Sequence, residues 1–151
     1  GFMYYTPRKY LANTIDKDRN ITTGYIDREV YKVNPLTLKD FKSMLGDAAS
    51  GRLSRNILRC FKKLFDCITH DLRTIERTFE INKFIVMGAD VAVDKQLNIK
   101  IMEINKGPDL QPKDNRDGNL KKKLLHDAFE IQGFANSTSD DKNARNGFIR
   151  L

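Results

Sequence analysis

The chain has no apolar run approaching the roughly 20 residues that a membrane span requires, so no bilayer crossing is expected. Its two cysteines, Cys60 and Cys67, are too few for a disulfide framework. They suit a reducing compartment, and a cytoplasmic location is expected. The opening GFMYYTPRKY has no apolar core followed by a small-residue cleavage site, so no signal peptide is expected there. No methionine precedes Met3, and the natural start is expected to lie upstream of Gly1. Internal repeats are absent.

What is present is an ordinary globular mixture, 40% apolar and 31% charged, over 151 residues, the length of one domain. The formal net charge is +7 and is unevenly spread. Residues 1–75 carry 14 basic against 8 acidic side chains, and residues 76–151 carry 13 against 12. An excess of positive charge in the first half points to acidic partners: nucleic acid, anionic lipid or acidic protein tails.

Short β-like runs at residues 2–6 and 20–25 predict strand and loop. After Asn34-Pro35, Thr37 and Asp40 form an N-cap pair for a helix over 38–45. The glycine-flanked stretch 46–51 is expected to be a loop. From Leu53 to Phe79 apolar residues recur at helical spacing without proline or glycine, which predicts one long amphipathic helix of about seven turns. The pattern then changes to two β-like runs, 84–93 and 99–104, around the polar turn 94–98, a β-hairpin. Asp117 is expected to cap a last helix that Gly133 closes. Residues 135–151 are polar and predict a disordered tail.

The hairpin carries the chemistry. Glu103 and Asn105 are two apart on a strand and therefore share a face. If Val93 pairs with Lys100, Asp90 falls opposite Glu103, and two carboxylates and a carboxamide converge. Hard oxygen donors of that kind suit Mg²⁺, which shares its remaining positions with water and nucleotide phosphates. The plain alternative is a sheet with one wet face, whose Asp, Glu and Asn meet only solvent.

The stretch FIVMGADVAVDKQLNIKIMEINKGP resembles the C-terminal core of the tubulin–tyrosine ligase family, a branch of the ATP-grasp ligases. The family pattern, F-x-x-x-G-x-D followed by a strand ending E-[VI]-N-x-x-P, is met by Phe84, Gly88, Asp90, Glu103, Ile104, Asn105 and Pro108. Asp117, Leu120-Lys121 and Gly133-Phe134 continue it in register, and the likeness spans residues 52–134. Upstream only Thr23 matches the family's H-L-T-N strand end. Ile21 and Gly24 replace its His and Asn, and the arginine expected near Tyr4 is missing, with Arg8 at a shifted position.

This resemblance implies an α+β fold, an ATP-grasp-like C-terminal lobe over residues 1–134 with the N-terminal lobe missing. An antiparallel sheet with a ligand-bearing hairpin would be packed by the long helix and a C-terminal helix. It implies ATP and Mg²⁺ as cofactors, and a carboxylate activated as acyl-phosphate and then joined to the amine of an amino acid. Asp90, Glu103 and Asn105 would hold metal and be catalytic. Ile101, Glu103, Asn105 and Lys121 would bind ATP, with Ile101 beneath the adenine. Thr23 would contact substrate. The partners implied are a free amino acid and an acidic protein, such as a tubulin tail. The isolated chain is expected to be an inactive half of a catalytic unit.

Other features read more plainly. Cys60, Cys67 and His70 lie near one helix face, but a zinc site would need a fourth ligand. His126 is expected to be solvated, as are Lys122 and Lys123. Arg52, Arg55, Arg59, Lys62 and Lys63 line the polar side of the long helix, either as a solvated face or as a docking surface for an acidic polypeptide. Two competing functions remain: a catalytically silent interaction module of the same fold, and a basic nucleic-acid-binding domain. Nucleic-acid binding would weaken steeply with salt, and no RNP or KH signature supports it.

Overall fold

A computed structural model of the chain describes residues 1–22, 28–76, 84–133 and 146–151. Thr23, Gly24, Phe79 and Phe134 lie outside them, as does the greater part of the expected tail. The described elements are α1 (Lys17–Asn20), a short 3₁₀ helix (Arg28–Lys32), α2 (Leu38–Leu45), α3 (Asp47–Glu76), β1 (Gly88–Val93), β2 (Ile99–Asn105) and α4 (Asn115–Ile131). β1 and β2 form a two-stranded sheet, so the chain is α+β. It divides into two compact units. One comprises Gly1–Cys60 with Val93–Ile99, the other Phe61–Ala92 with Lys100–Leu151. No helix among the described residues is long and apolar enough to cross a membrane.

In the first unit the chain start lies along residues 36–38. Phe2 bridges Thr37 in antiparallel sense, and the Met3 amide donates to the Leu36 carbonyl at 2.9 Å. A single bridge replaces the strand expected at 2–6. Residues 17–20 form α1, which ends at the first residue of the β-like run expected at 20–25, because the Asp16 side chain accepts from the Asp18 amide and caps a turn; residues 23–25 of that run lie outside the described residues. α2 begins as predicted, with a reciprocal capping box. Thr37 Oγ1 accepts from the Asp40 amide, and Asp40 Oδ2 accepts from the Thr37 amide, both at 3.1 Å.

The expected loop at 46–51 shrinks to Gly46, whose φ of 74° ends α2. α3 starts at once with Asp47, an acidic residue suited to the first turn. Ala48, Ala49 and Ser50 are compatible with helix, and Gly51 is carried inside it at the usual cost of about 1 kcal/mol. Leu53 on α3 is fully buried, and Leu97 of the hairpin turn joins it in the small core of this unit.

Asp94 organises that turn. Its Oδ1 accepts from the amides of Gln96 at 2.9 Å and Asn98 at 2.8 Å, and its Oδ2 from the Asn98 side chain at 2.9 Å. The Leu97 amide donates to the Asp94 carbonyl at 2.9 Å, and the Asp94 amide to the Asn98 carbonyl at 3.1 Å. Leu97 has a φ of 64°, a left-handed conformation uncommon outside glycine. This is a three-residue hairpin loop of the kind that places a left-handed residue after a tight turn. Burial of the Leu97 side chain and a 2.8 Å hydrogen bond from Asn56 Nδ2 to its carbonyl hold it there. Replacing Asp94 with Ala removes three accepted hydrogen bonds. It is expected to cost about 1–2 kcal/mol in urea unfolding.

In the second unit α4 starts three residues earlier than expected. Asp114, not Asp117, is its N-cap and accepts from the Asp117 amide at 2.8 Å. Gln132 is the C-cap and Gly133 follows it at φ 75°, the left-handed position glycine favours just past a helix. The last residues of the expected tail are seated on this helix. Asn146 Nδ2 donates to the Asp127 carbonyl and to Glu130 Oε2, both at 2.9 Å. The Gly147 amide donates to Asp127 Oδ2 at 3.0 Å.

Candidate functional site

β2 presents its side chains with the two-residue period of a strand. Glu103 and Asn105 are both exposed, and Asn105 Nδ2 donates to Glu103 Oε1 at 3.0 Å. Their shared face is therefore a contact, and the bond turns one oxygen of each group away from it. Ile101 is half-buried, whereas Met102 is 70% exposed. Asp90 is an exposed residue of β1.

The hairpin register differs at the turn from the pairing counted on the sequence. Asp94 faces Asn98, which sets Val93 opposite Ile99 rather than Lys100. The left-handed Leu97 adds a residue to the second arm and causes the shift. An unbroken ladder from that end would put Met102 across from Asp90. However, β2 has seven residues against six in β1, and one residue over is the count of a β-bulge. Past such a bulge the register steps by one and the faces exchange. That is the step Asp90 needs to stand across from Glu103.

Lys121 is engaged within its own unit. Its Nζ donates to the Gln111 carbonyl at 2.8 Å and pairs with Asp117 Oδ2 at 3.0 Å, the two side chains being 14% and 10% exposed. Asp117 also accepts from the Lys113 amide at 2.7 Å. Lys122 and Lys123 are exposed as expected.

One grouping not expected from the sequence is His126, Asp127 and Glu130, whose ligand atoms lie within 4.8 Å of one another. Their i, i+1, i+4 spacing on a helix was the available signal. Lys123 Nζ already sits 3.0 Å from both Asp127 oxygens, so the carboxylate of this group is taken by a cation of the protein itself. Burial raises the Asp127 pKa. Hydrogen bonds from Lys123 and the Gly147 amide, with the Lys123 charge, outweigh it and hold the carboxyl below the usual 3.8. A depressed folded pKa stabilises above the unfolded value and loses that contribution as pH falls through the folded one. Acidification below the usual carboxylate range is thus expected to loosen the Gly147 amide from Asp127, read as its faster hydrogen exchange. Asp127→Asn should remove the pH dependence.

The free thiols are Cys60, half-buried, and Cys67, exposed. The Cys60 thiol points at the Ile99 carbonyl, 3.9 Å away.

The model of the tubulin-tyrosine ligase family matches residues 6–142. The chain belongs to that family. Neither a curated protein nor a solved structure matches it. The family match includes the hairpin, α4 and the divergent segment around Ile21, and it makes the chain a member of a ligase family.

Proposed function

We propose that this chain forms the metal- and ATP-binding wall of a ligase that joins an amino acid to an acidic protein. The observation that carries this reading is the Asn105–Glu103 hydrogen bond on one exposed face of β2, within a chain of the tubulin-tyrosine ligase family. The donor set fits a hard divalent cation: carboxylate and carboxamide oxygens, exposed to water, without thiol or imidazole among them. Asp90 would join Glu103 and Asn105, with the extra residue of β2 on the turn side of Glu103. Ile101 would lie beneath the adenine.

When bound, Mg²⁺ with ATP would supply the phosphoryl group and neutralise the charge that several converging anions bring. The protein's part is positioning. The hydrogen bond between Glu103 and Asn105 limits the rotamers each adopts before binding and leaves Glu103 Oε2 and Asn105 Oδ1 as the oxygens that would hold the cation. A substrate carboxylate that takes the γ-phosphoryl group, with ADP leaving, would become an acyl-phosphate; an amine attacking its carbonyl carbon would then form the amide, expelling inorganic phosphate and losing a proton to solvent. Thr23 is proposed to contact the substrate.

The exposed cations Arg52, Arg55, Arg59, Lys62 and Lys63 on α3 supply a docking face for an acidic polypeptide. Lys62 also pairs with Asp66 at 3.0 Å, an exposed i, i+4 pair worth a few tenths of a kcal/mol at most, which leaves it free to exchange partners. Binding of the full-length protein to a glutamate-rich peptide is expected to weaken several-fold between 50 and ~200 mM salt and with Arg55→Glu and Arg59→Glu together. Salt-independent binding would remove the docking role.

The reaction itself is tested by incubating full-length protein with ATP, an amino acid and an acidic protein, with and without Mg²⁺. Amide formation only with Mg²⁺ supports the ligase reading. Nucleotide binding without any product favours the silent module, which the replacements at Tyr4, Ile21 and Gly24 motivate.

A further inference from the structure

Residues 106–114 join Asn105, the last residue of β2, to the cap of α4. They are fastened at both ends. At the near end, a Cβ on Gly88 would come within 3.0 Å of Pro108 Cβ, so β1 lies directly against the segment. At the far end, a Cβ on Gly118 would come within 3.1 Å of Pro112 Cβ. On either side of Pro112 two side chains of α4 take hold of its backbone. Lys121 Nζ binds the Gln111 carbonyl, and the Asp117 carboxylate binds the Lys113 amide.

Asp117 and Lys121 are also each other's ion-pair partners, and both are nearly buried. A buried pair returns little net stability, because desolvation offsets the attraction. Such pairs do impose geometry, since each charge keeps its favourable energy only in one arrangement. Here the arrangement extends from α4 through two backbone groups to the segment that starts one residue past Asn105. A lysine placed to reach phosphate would keep its ammonium open to solvent. This one is turned inward.

The geometry points to Asp117 and Lys121 as positioning residues. They strap residues 106–114 to α4 and so hold the end of β2, with Glu103 and Asn105, in the orientation that receives metal. This role rests on the metal reading of the hairpin. It replaces the phosphate contact that the family resemblance implies for Lys121.

The test uses full-length protein, Mn²⁺ alone as the probe, and hydrogen exchange at the Lys113 amide. Lys121→Met keeps the aliphatic stem and removes both bonds. It is expected to weaken Mn²⁺ binding about tenfold, the cost typical of losing an outer partner of a metal ligand. Lys113 exchange should quicken at least tenfold, and Lys121→Arg should recover much of both. MgATP affinity should fall no further than Mn²⁺ affinity does. Unchanged Mn²⁺ affinity with a lost MgATP affinity would make Lys121 a phosphate ligand and overturn the proposal. Unchanged Lys113 exchange would overturn it as well. Should Lys121→Met fail to fold, Asp117→Asn, which weakens the hold on Lys113 and the ion pair, reads the same quantities. If the unsubstituted protein takes up no Mn²⁺, the metal reading falls and the positioning role with it. If it binds Mn²⁺ and the variants match it, only the strap is lost.

Discussion

Glu103→Gln in the full-length protein is expected to lower Mg²⁺-dependent ATP turnover by at least about a hundredfold, while the fold stays intact. The substitution keeps size and hydrogen-bonding capacity but removes the charge. Losing an outer partner of a metal ligand costs about 10–100-fold, and removing a ligand's own charge should exceed that. The side chain is exposed on β2 and touches Asn105. Surface replacements of this kind usually stay within about 0.5 kcal/mol of the parent, so unfolding curves should coincide. Asp90→Asn should behave alike. Asn105→Ala should cost less, since one neutral oxygen is lost. Near-normal turnover in Glu103→Gln would end the assignment. Normal turnover in Asp90→Asn with loss in Glu103→Gln would instead place the extra residue of β2 beyond Glu103 and leave Asp90 on the opposite face.

Leu53→Ala is the substitution with the largest expected effect on stability, about 2–5 kcal/mol. Leu53 is the only large side chain among the described residues that is fully buried, and the apolar core around it is small. Truncation loses the transfer energy of the removed carbons and leaves a cavity that packed neighbours fill only in part. Against a total stability of about 5–15 kcal/mol, this is a large fraction. The urea midpoint should fall with an unchanged slope. Leu53→Met, close in volume, should cost under about 1.5 kcal/mol. A cost under 1 kcal/mol for Leu53→Ala would mean that this core does not hold the first unit together.

Local rules made several features legible. The Thr37 and Asp40 pair marks α2 because reciprocal capping needs only those two residue types three apart. The stripe beginning at Leu53 marks α3, and the polar turn between two β-like runs marks the hairpin, since both depend on periodicity alone. The beginnings of α3 and α4 were misplaced by competition between near-equivalent signals. Gly51 is as good a breaker on paper as Gly46, but only Gly46 takes a positive φ. Asp114 and Asp117 are both competent caps, and the earlier one wins because Asp117 is drawn to the Lys113 amide and Lys121.

The sequence by itself determined α2, the body of α3, the hairpin and α4 in their order, the shared face of Glu103 and Asn105, and the family, because each rests on neighbours within a few positions or on a motif in register. Only the tertiary structure decided the register at the turn, the inward set of Lys121 and the seating of Asn146 and Gly147 on α4. Those depend on groups far apart in the chain. Asn56 holds the Leu97 carbonyl from 41 residues away, Lys121 reaches the Gln111 carbonyl over 10, and Gly147 meets Asp127 over 20. Charge and spacing leave such partners open, and packing chooses among them.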